Sequence, residues 1–317
     1  MKSKAEQAVS KLRAESITTV FGNNTLDITA RNALVDLKVA ERRDTPVGGM
    51  ICYVLNLERH QARLQSFLQR FDSSDLAALE LRRFRAVDTA SVWRHARALV
   101  YEPALARLSM VLSRGFRDTH AELSSLAAIG CALSHLHIWV DILDDPGSPA
   151  SQRYLVMEDD ASLPRLLLAP LNKALQGIPA DWDILLLGCR TPQLSMATTY
   201  PTYVDIRLFQ GTHAYLITRA AIRKIFENGA LPIRVQIDAY LSVLAQAKKL
   251  KIYTVPKQLV GVIKRWGSSI QLDHDFERSQ AKLTYDYPFE MVPAWTAVES
   301  LQMLRVLRSR CEFNRLR

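Results

Sequence analysis

The chain has 317 residues, of which 48% are hydrophobic, and this composition supports a full core and excludes an intrinsically disordered protein. Its 41 basic and 32 acidic residues give a net charge of +9, which favours anionic partners: nucleotide diphosphates, nucleic acid or an acidic membrane face. The four cysteines are far apart and lack metal-ligand spacing, which argues against a cysteine-based metal site and favours free thiols in a reducing compartment.

The first 46 residues are mixed and polar and do not resemble a secretory signal, since no apolar core follows Lys2 and Lys4. No apolar run approaches the ~20 residues that cross a bilayer, so we expect a cytoplasmic protein without a transmembrane helix. The turn-forming residues around 42–49 indicate a break. We predict an N-terminal extension of unknown role at 1–46, a main domain at 47–275 and a C-terminal helical segment at 276–317.

The main domain begins with an apolar run, Met50–Leu57, that predicts a buried core strand. A helix follows, with apolar residues at helical spacing. Arg59 and Arg63 are four residues apart near its start, a suitable place to meet a phosphate or a base, although two solvated arginines are the simpler interpretation. A second strand, Leu81–Asp88, is expected to bring Asp88 to the same edge of the sheet.

Residues 91–120 are rich in arginine and helical in pattern, and Ser124 is the expected N-cap of the next helix. That helix carries small residues on one face, among them Gly130 and Ser134, which would allow close packing against the sheet. His135 follows. A lone histidine on an apolar helix is more often a core residue than a catalyst.

The stretch Arg153–Pro164 is the most informative, because an apolar run there ends in three consecutive acids. Alternation along a strand puts Glu158 and Asp160 on one side and Asp159 on the other. Ligands of open α/β sheets bind beyond the carboxyl ends of the strands, so both acids would face one crevice. A divalent cation with oxygen ligands, Mg²⁺ or Mn²⁺, would relieve their repulsion. The alternative is a solvated acidic turn.

Three further elements complete the domain. Residues 182–188 predict a buried strand, residues 210–218 a glycine turn into a strand, and residues 235–247 a helix with Asp238 in its first turn. Strands that alternate with helices indicate an α/β fold with a mostly parallel central sheet flanked by helices.

The order of these motifs resembles glycosyltransferase family 25, which groups lipopolysaccharide galactosyltransferases with collagen galactosyltransferases. The resemblance implies a GT-A type fold, a UDP-sugar donor, most often UDP-galactose, inversion at the anomeric carbon, and Glu158-Asp159-Asp160 as the metal and diphosphate motif. The matching segments are Val54–Arg63, Phe84–Asp88, Ile129–His135, Val156–Ala161, Gly211–Ile217 and Ile237–Leu241.

On this resemblance, Glu158 and Asp160 are expected to hold Mn²⁺ or Mg²⁺, and Asp238 is the candidate base that inversion requires. For Asp238 the alternative is an acid that satisfies the helix dipole. The residues expected at the donor are Asn56, Arg59, Arg63, Asp88, Ser134, His135, Glu158, Asp159, Gly211 and Thr212. The acceptor is expected to be a glycan, a glycolipid or a protein.

Two positions depart from the family pattern. Ala128 stands where an acid often precedes the Ile129–His135 motif, and residues 265–270 keep only part of a Pro-Ser-x-Ile pattern. A catalytically inactive nucleotide-sugar or protein-binding homologue is therefore an alternative. A metal-dependent phosphatase or nuclease is a third class, but the sequence lacks a second acidic cluster for two metals, so we expect no nucleic-acid partner.

Residues 302–317 combine five arginines with interleaved apolar side chains. As a helix, this segment would suit the anionic inner face of a membrane as a reversible peripheral contact. The alternative is that its apolar side packs on the main domain.

Overall fold

The computed structural model of the chain describes residues 49–147, 149, 152–190, 197–199, 202–266 and 294–310. The predicted extension at 1–46 lies outside these residues. The described residues belong to the compact unit Thr45–Arg317, so the helix near the C-terminus is part of the same unit as the sheet. The division into a 47–275 domain and a separate C-terminal segment stays a prediction.

An eight-stranded sheet with the order β2-β1-β3-β8-β5-β9-β7-β6 lies at the centre. Pairing makes β7 and β8 antiparallel to their neighbours, and the remaining strands run in one direction. A separate antiparallel pair joins β4 to β10. The strands are β1 Ile51–Asn56, β2 Glu80–Arg85, β3 Arg153–Glu158, β4 Ala161–Ser162, β5 Ile184–Arg190, β6 Ala197–Thr199, β7 Val204–Ile206, β8 Gln210–Thr218, β9 Ile252–Thr254 and β10 Gly261–Val262.

Helices cover both faces of this sheet, so the predicted α/β class with a mostly parallel, helix-flanked sheet is confirmed. The reversed strand β8 lies between β3 and β5 and makes the sheet mixed at its middle. The helices are α1 Gln61–Asp72, α2 Thr89–Ala96, α3 Glu102–Arg114, α4 Leu126–Asp144, α5 Leu168–Gly177, α6 Arg219–Glu227, α7 Ile237–Gln246 and α8 Ala297–Arg310.

Two apolar layers, one on each face of the sheet, form the core. Alternate residues of β1 divide between them: Tyr53 and Leu55 join one layer, and Cys52 and Val54 join the other. This is why a central strand appears as an unbroken apolar run in the sequence, since both of its faces are buried. The run then ends at the sheet edge, where Asn56 is the first polar residue of β1.

Helix α4 is the long central helix of one layer, and it begins one residue later than predicted. Ser125, not Ser124, is the N-cap, and its Oγ accepts a hydrogen bond from the Ala128 amide at 3.2 Å. Adjacent serines offer the same local signal, so only the backbone path distinguishes them. Ala128 thus occupies the third helical position, where an acid would complete a capping box. With Ala128 at this position, the helix has no capping box.

Helix α4 also corrects the expectation that no segment is long enough to span a bilayer. Its 19 residues, with a mean hydropathy of 1.6, are long and apolar enough by length and composition. However, 72% of that window is buried inside the fold. The helix is therefore apolar all round because it lies in the core, as buried helices are.

Helix α8 includes residues 302–310 of the predicted C-terminal segment, while 311–317 lie outside the described residues. Leu304 and Leu307 are buried in the same apolar layer as α4. Arg308 bonds Asp141 of α4 at 2.8 Å, and Arg305 pairs with Asp144. This packing corresponds to the alternative stated for the segment, and a membrane contact stays a prediction.

Candidate active site

Two cavities open beyond the ends of β1, β3 and β8, and they share three residues: Cys131, Glu158 and Asp160. The first cavity measures about 300 Å³ and lies between the ends of β1 and β2 and the start of α4. The second cavity measures about 310 Å³ and lies beside β8 and α7. Each is at the lower end of the size range of small-molecule sites, roughly 300–1,000 Å³.

The three consecutive acids lie in different surroundings. Asp159 accepts hydrogen bonds from Asn56 Nδ2 at 2.7 Å and from Arg63 at 2.5 Å, and it is buried. Glu158 points toward β8, where Thr212 Oγ1 donates to its Oε1 at 3.1 Å. The side chain of Asp160 lies at the boundary of both cavities, with Arg63 at 3.2 Å. Strand β3 ends at Glu158, and the turn after it separates the three side chains.

Electrostatics at Asp160 fit a cation site. Burial and the negative charge of Glu158 raise the pKa of Asp160 to about 7, despite the nearby guanidinium of Arg63. Its Oδ1 is buried and has no hydrogen-bond partner among the described residues. A bound divalent cation would satisfy this oxygen and remove the repulsion between the two acids, so the donor set fits the predicted Mn²⁺ or Mg²⁺.

Glu158 is held by a chain of hydrogen bonds that begins in the core. Trp139 Nε1 donates to the Tyr215 hydroxyl at 3.1 Å, and that hydroxyl lies 2.8 Å from His135 Nδ1. His135 Nε2 lies 3.2 Å from Thr212 Oγ1, which donates to Glu158. Because the one hydroxyl hydrogen of Thr212 goes to Glu158, His135 Nε2 donates to Thr212, whereas the direction of the bond between His135 and Tyr215 depends on the protonation state of His135.

This chain explains the acidity of Glu158. Burial raises the pKa of Glu158, but hydrogen bonding to and attraction by His135, together with the Thr212 hydrogen bond, leave that pKa below its ordinary value. Glu158 and Asp160, two residues apart, thus have pKa values shifted in opposite directions. The surroundings therefore favour the ionised form of Glu158 over that of Asp160.

Basic and small side chains line the first cavity. Arg59 forms an ion pair with Asp88 in the lining of this cavity, and the two side chains are 50% and 36% exposed. Ser134 Oγ donates to the Gly130 carbonyl at 2.6 Å and accepts from the Val87 amide at 2.8 Å. A Cβ on Gly130 would lie 2.6 Å from the Val87 carbonyl, so only glycine allows this approach. The small face predicted on α4 therefore forms the floor of the cavity.

The second cavity is built around Asp238. Its Oδ2 accepts hydrogen bonds from the Gly211 amide at 2.8 Å and from His120 Nε2 at 3.1 Å, and its Oδ1 accepts from the Ala239 amide at 2.8 Å. Burial raises the pKa of Asp238, but His120 and the two amides outweigh it and leave that pKa below its usual range. Gly211 has a φ of 88°, which only glycine adopts readily, and this conformation directs its amide at the carboxylate.

The predicted site residues divide into four groups. Those on the first cavity are Arg59, Arg63, Asp88, Ser134 and Asp159; those on the second are Gly211, Thr212 and Asp238; Glu158 and Asp160 lie on both. Asn56 and His135 are buried and belong to neither lining. Asn56 positions Asp159, and His135 positions Glu158 through Thr212. Gly211 and Thr212 line the cavity that contains Asp238, and their expected contact with the donor stays a prediction.

Sequence reasoning missed several residues of the second cavity, including His120, Arg190, Gln236 and Lys264. His120 lies 118 residues from Asp238 in the sequence, in a loop rich in polar residues. Nothing local indicates that it approaches α7. Arg190 ends β5, and the general rule that ligands bind beyond strand ends would have marked it.

Cys131 adds a second set of donors. Its Sγ lies within 4.8 Å of His135 Nε2 and of a Glu158 oxygen. These softer ligands suit Zn²⁺ better than Mn²⁺. Burial raises the pKa of the Cys131 thiol well above its ordinary value, which disfavours the thiolate that a metal needs. The carboxylate pair Glu158 and Asp160 is therefore the better cation site.

Comparison with known proteins identifies a matching family model and several similar proteins. The family model described as "Glycosyltransferase family 25 (LPS biosynthesis protein)" matches residues 50–241, which is more than half of the chain. "Procollagen galactosyltransferase 1" of Danio rerio is 22% identical over 246 residues, which cover 74% of this chain and 38% of that protein.

Two proteins named "Glycosyltransferase 25 family member" give similar matches. The one from Aedes aegypti is 24% identical over 198 residues, which cover 61% of this chain and 30% of that protein. The one from Anopheles gambiae is 26% identical over 202 residues, which cover 61% and 31%. The chain thus spans about a third of the length of these curated relatives.

Proposed function

Because the chain belongs to glycosyltransferase family 25, we propose that it transfers a hexose, most readily galactose, from a UDP-sugar to an acceptor hydroxyl with inversion. The observation that carries this proposal is the meeting of two cavities at Glu158 and Asp160. A donor in one cavity and an acceptor in the other would place the reacting carbon at the shared acids. The name of the Danio rerio relative supports galactose as the sugar.

The first cavity suits the nucleotide. Arg59 and Arg63 supply positive charge, and Asp88 accepts hydrogen bonds, as the hydroxyl groups of a ribose require. Ala127 and Gly130 contribute a small, uncharged surface to this cavity, which would suit a flat base. The diphosphate would then extend toward Asp160 and the wall of the second cavity, where Arg190 and Lys264 add positive charge.

Glu158 and Asp160 would hold the divalent cation. Bound Mn²⁺ or Mg²⁺ would neutralise charge that builds on the leaving diphosphate. The protein's own contribution is to keep Glu158 ionised through the Thr212 hydrogen bond and to hold Asp159 away from the cation with Asn56 and Arg63.

The second cavity suits the acceptor. Asp238 and His120 line the same cavity as the shared acids, and a base is needed there for the acceptor hydroxyl. The acceptor class is a glycan, a glycolipid or a protein. Cytoplasmic placement, with a reversible contact of residues 302–317 at the inner membrane face, would suit a lipid-linked acceptor.

Turnover with a panel of nucleotide sugars tests the proposal. We expect Mn²⁺-dependent release of UDP from UDP-galactose, slow with water and faster with saccharide alcohols or collagen peptides as acceptors. Calorimetry with UDP and Mn²⁺ gives binding independently of turnover. Binding without turnover of any sugar would favour the inactive homologue, and absence of both would reject the proposal.

A further inference from the structure

The loop before α4 places His120 against Asp238 in the wall of the second cavity. Both side chains are less than a tenth exposed, and Nε2 of His120 lies 3.1 Å from Oδ2 of Asp238. The backbone carbonyl of His120 is held by two donors, Gln236 Nε2 at 2.9 Å and Arg117 Nη1 at 3.1 Å. The imidazole is therefore a fixed part of the cavity.

Asp238 is poorly suited to receive a proton. Three donors already use its oxygens, namely the Gly211 amide, the Ala239 amide and His120. Its pKa is lowered by the same contacts, and a base whose pKa is far below the working pH has little driving force for proton abstraction. An aspartate with these contacts acts instead by orienting its partner, as in acid–histidine pairs of hydrolases.

Unlike Asp238, the imidazole of His120 has an atom, the ring nitrogen Nδ1, that can accept a proton from the acceptor hydroxyl. With Nε2–H donated to Asp238, Nδ1 is the ring nitrogen left with a lone pair, and the described residues provide no hydrogen-bond donor to it. The cavity's other histidine, His213, is tied through Nε2 to the Val260 carbonyl at 3.1 Å. Glu158 and Asp160 face the proposed cation, so among the described residues that line the cavity His120 is the remaining base.

We propose that His120 is the catalytic base of the transfer and that Asp238 is its positioning residue; this rests on the proposed function. The acceptor O–H gives its proton to His120 Nδ1 while its oxygen forms the bond to the anomeric carbon. The bond from that carbon to the β-phosphate oxygen breaks, and its electron pair leaves with UDP. The imidazolium then releases the proton to solvent.

Hydrolysis of UDP-galactose with Mn²⁺ tests this inference without an identified acceptor, since water needs the same base. We expect His120→Ala to lower kcat by about 10²–10⁴-fold with KM for the donor and calorimetric UDP affinity unchanged. Added imidazole should restore part of the rate. His95→Ala, an exposed histidine on α2, is the matched control and should change neither quantity.

Combining variants separates the two roles. If Asp238 acts only through His120, Asp238→Asn should lower kcat, and the double variant should be no slower than His120→Ala alone. A His120→Ala variant with nearly full kcat, or one that imidazole does not rescue, would overturn the inference. If the wild-type chain turns over no nucleotide sugar, the proposed function fails and this inference falls with it.

Discussion

At the scale of single residues, the site depends on three adjacent carboxylates that the chain holds in three different states. Asp159 is tied to Asn56 and Arg63, Glu158 is held by Thr212, and Asp160 has a buried oxygen without a partner in the described part of the chain. Burial disfavours the ionised form of each carboxylate, and nearby hydrogen-bond donors stabilise that form to a different extent at each of the three. Asp160 is the one left for a ligand from outside the chain.

Replacement of Asp160 tests the cation site. Asp160→Asn keeps the volume of the side chain and removes the charge, so we expect the fold to survive while transfer is abolished and Mn²⁺-dependent UDP binding weakens. Turnover and calorimetry with and without Mn²⁺ provide the measurements. Asp118→Asn, which removes an exposed acid paired with Arg114, is the matched control. Near-normal turnover in Asp160→Asn would show that the metal assignment is wrong.

Replacement of Thr212 tests how Glu158 is held. Thr212→Val is nearly isosteric but removes the hydroxyl that joins His135 to Glu158. The pKa of Glu158 should rise toward its ordinary value, so Mn²⁺ affinity should fall, by roughly the factor of 10–100 typical of groups that support metal ligands. Calorimetry with Mn²⁺ measures this. Thr89→Val on α2, at the first cavity, is the control, and equal effects in both variants would contradict the relay.

At the scale of elements, helix α4 contributes residues both to the apolar core and to the candidate active site. One face forms the floor of the first cavity, and most of the remaining residues are buried, including His137. Burial, with a smaller contribution from Arg308, lowers the pKa of His137 to about 3. A histidine of an unfolded chain titrates near ~6.5. Between these values only the unfolded state binds the proton, so stability present at pH 7 is lost as pH falls from about 6.5 toward 3.

Urea unfolding at two pH values tests this linkage. At pH 5, protonation of His137 in the unfolded chain should cost the wild type about 2 kcal/mol relative to pH 7.5. His137→Leu should lose correspondingly less stability over the same interval, whatever its stability at pH 7.5. His95→Leu at an exposed position should behave as the wild type does. Parallel losses in wild type and His137→Leu would mean that His137 titrates normally in the fold.

Helix α8 stabilises the unit by covering α4 and α6. Leu304 is fully buried, so Leu304→Ala should lower the free energy of unfolding by about 2–5 kcal/mol. Met303 on the same helix is 37% exposed, and Met303→Ala should cost far less. Urea titration of both variants measures the difference. Similar losses at the two positions would mean that α8 is not docked as described.

At the scale of the whole molecule, the net charge of +9 favours contact with an anionic membrane, and this contact stays a prediction. Two arginines of α8 are already paired with Asp141 and Asp144, so the attraction would depend on the remaining basic residues. Each basic residue near an anionic bilayer is worth about 1 kcal/mol. The intact chain should sediment with anionic vesicles at low salt, less at high salt, and not with neutral vesicles. Absence of sedimentation at low salt would favour a soluble acceptor.

The sequence by itself determined the α/β class, the end of β3 in three acids and the small face of α4, because these depend on periodicity and on residue type along one element. It also led to the family, through short motifs in a constant order. The predicted N-cap of α4 was wrong by one residue, because Ser124 and Ser125 are adjacent and both are suitable N-cap residues.

Only the tertiary structure decided which residues share a cavity. The reversal of β8 brings Gly211 and Thr212 beside Glu158, and the loop before α4 brings His120 to Asp238. It also separated residues that contact a cavity from Asn56 and His135, which support others from within the core. These contacts join segments far apart in the chain, and no local propensity encodes them, because they form only when the sheet order is complete.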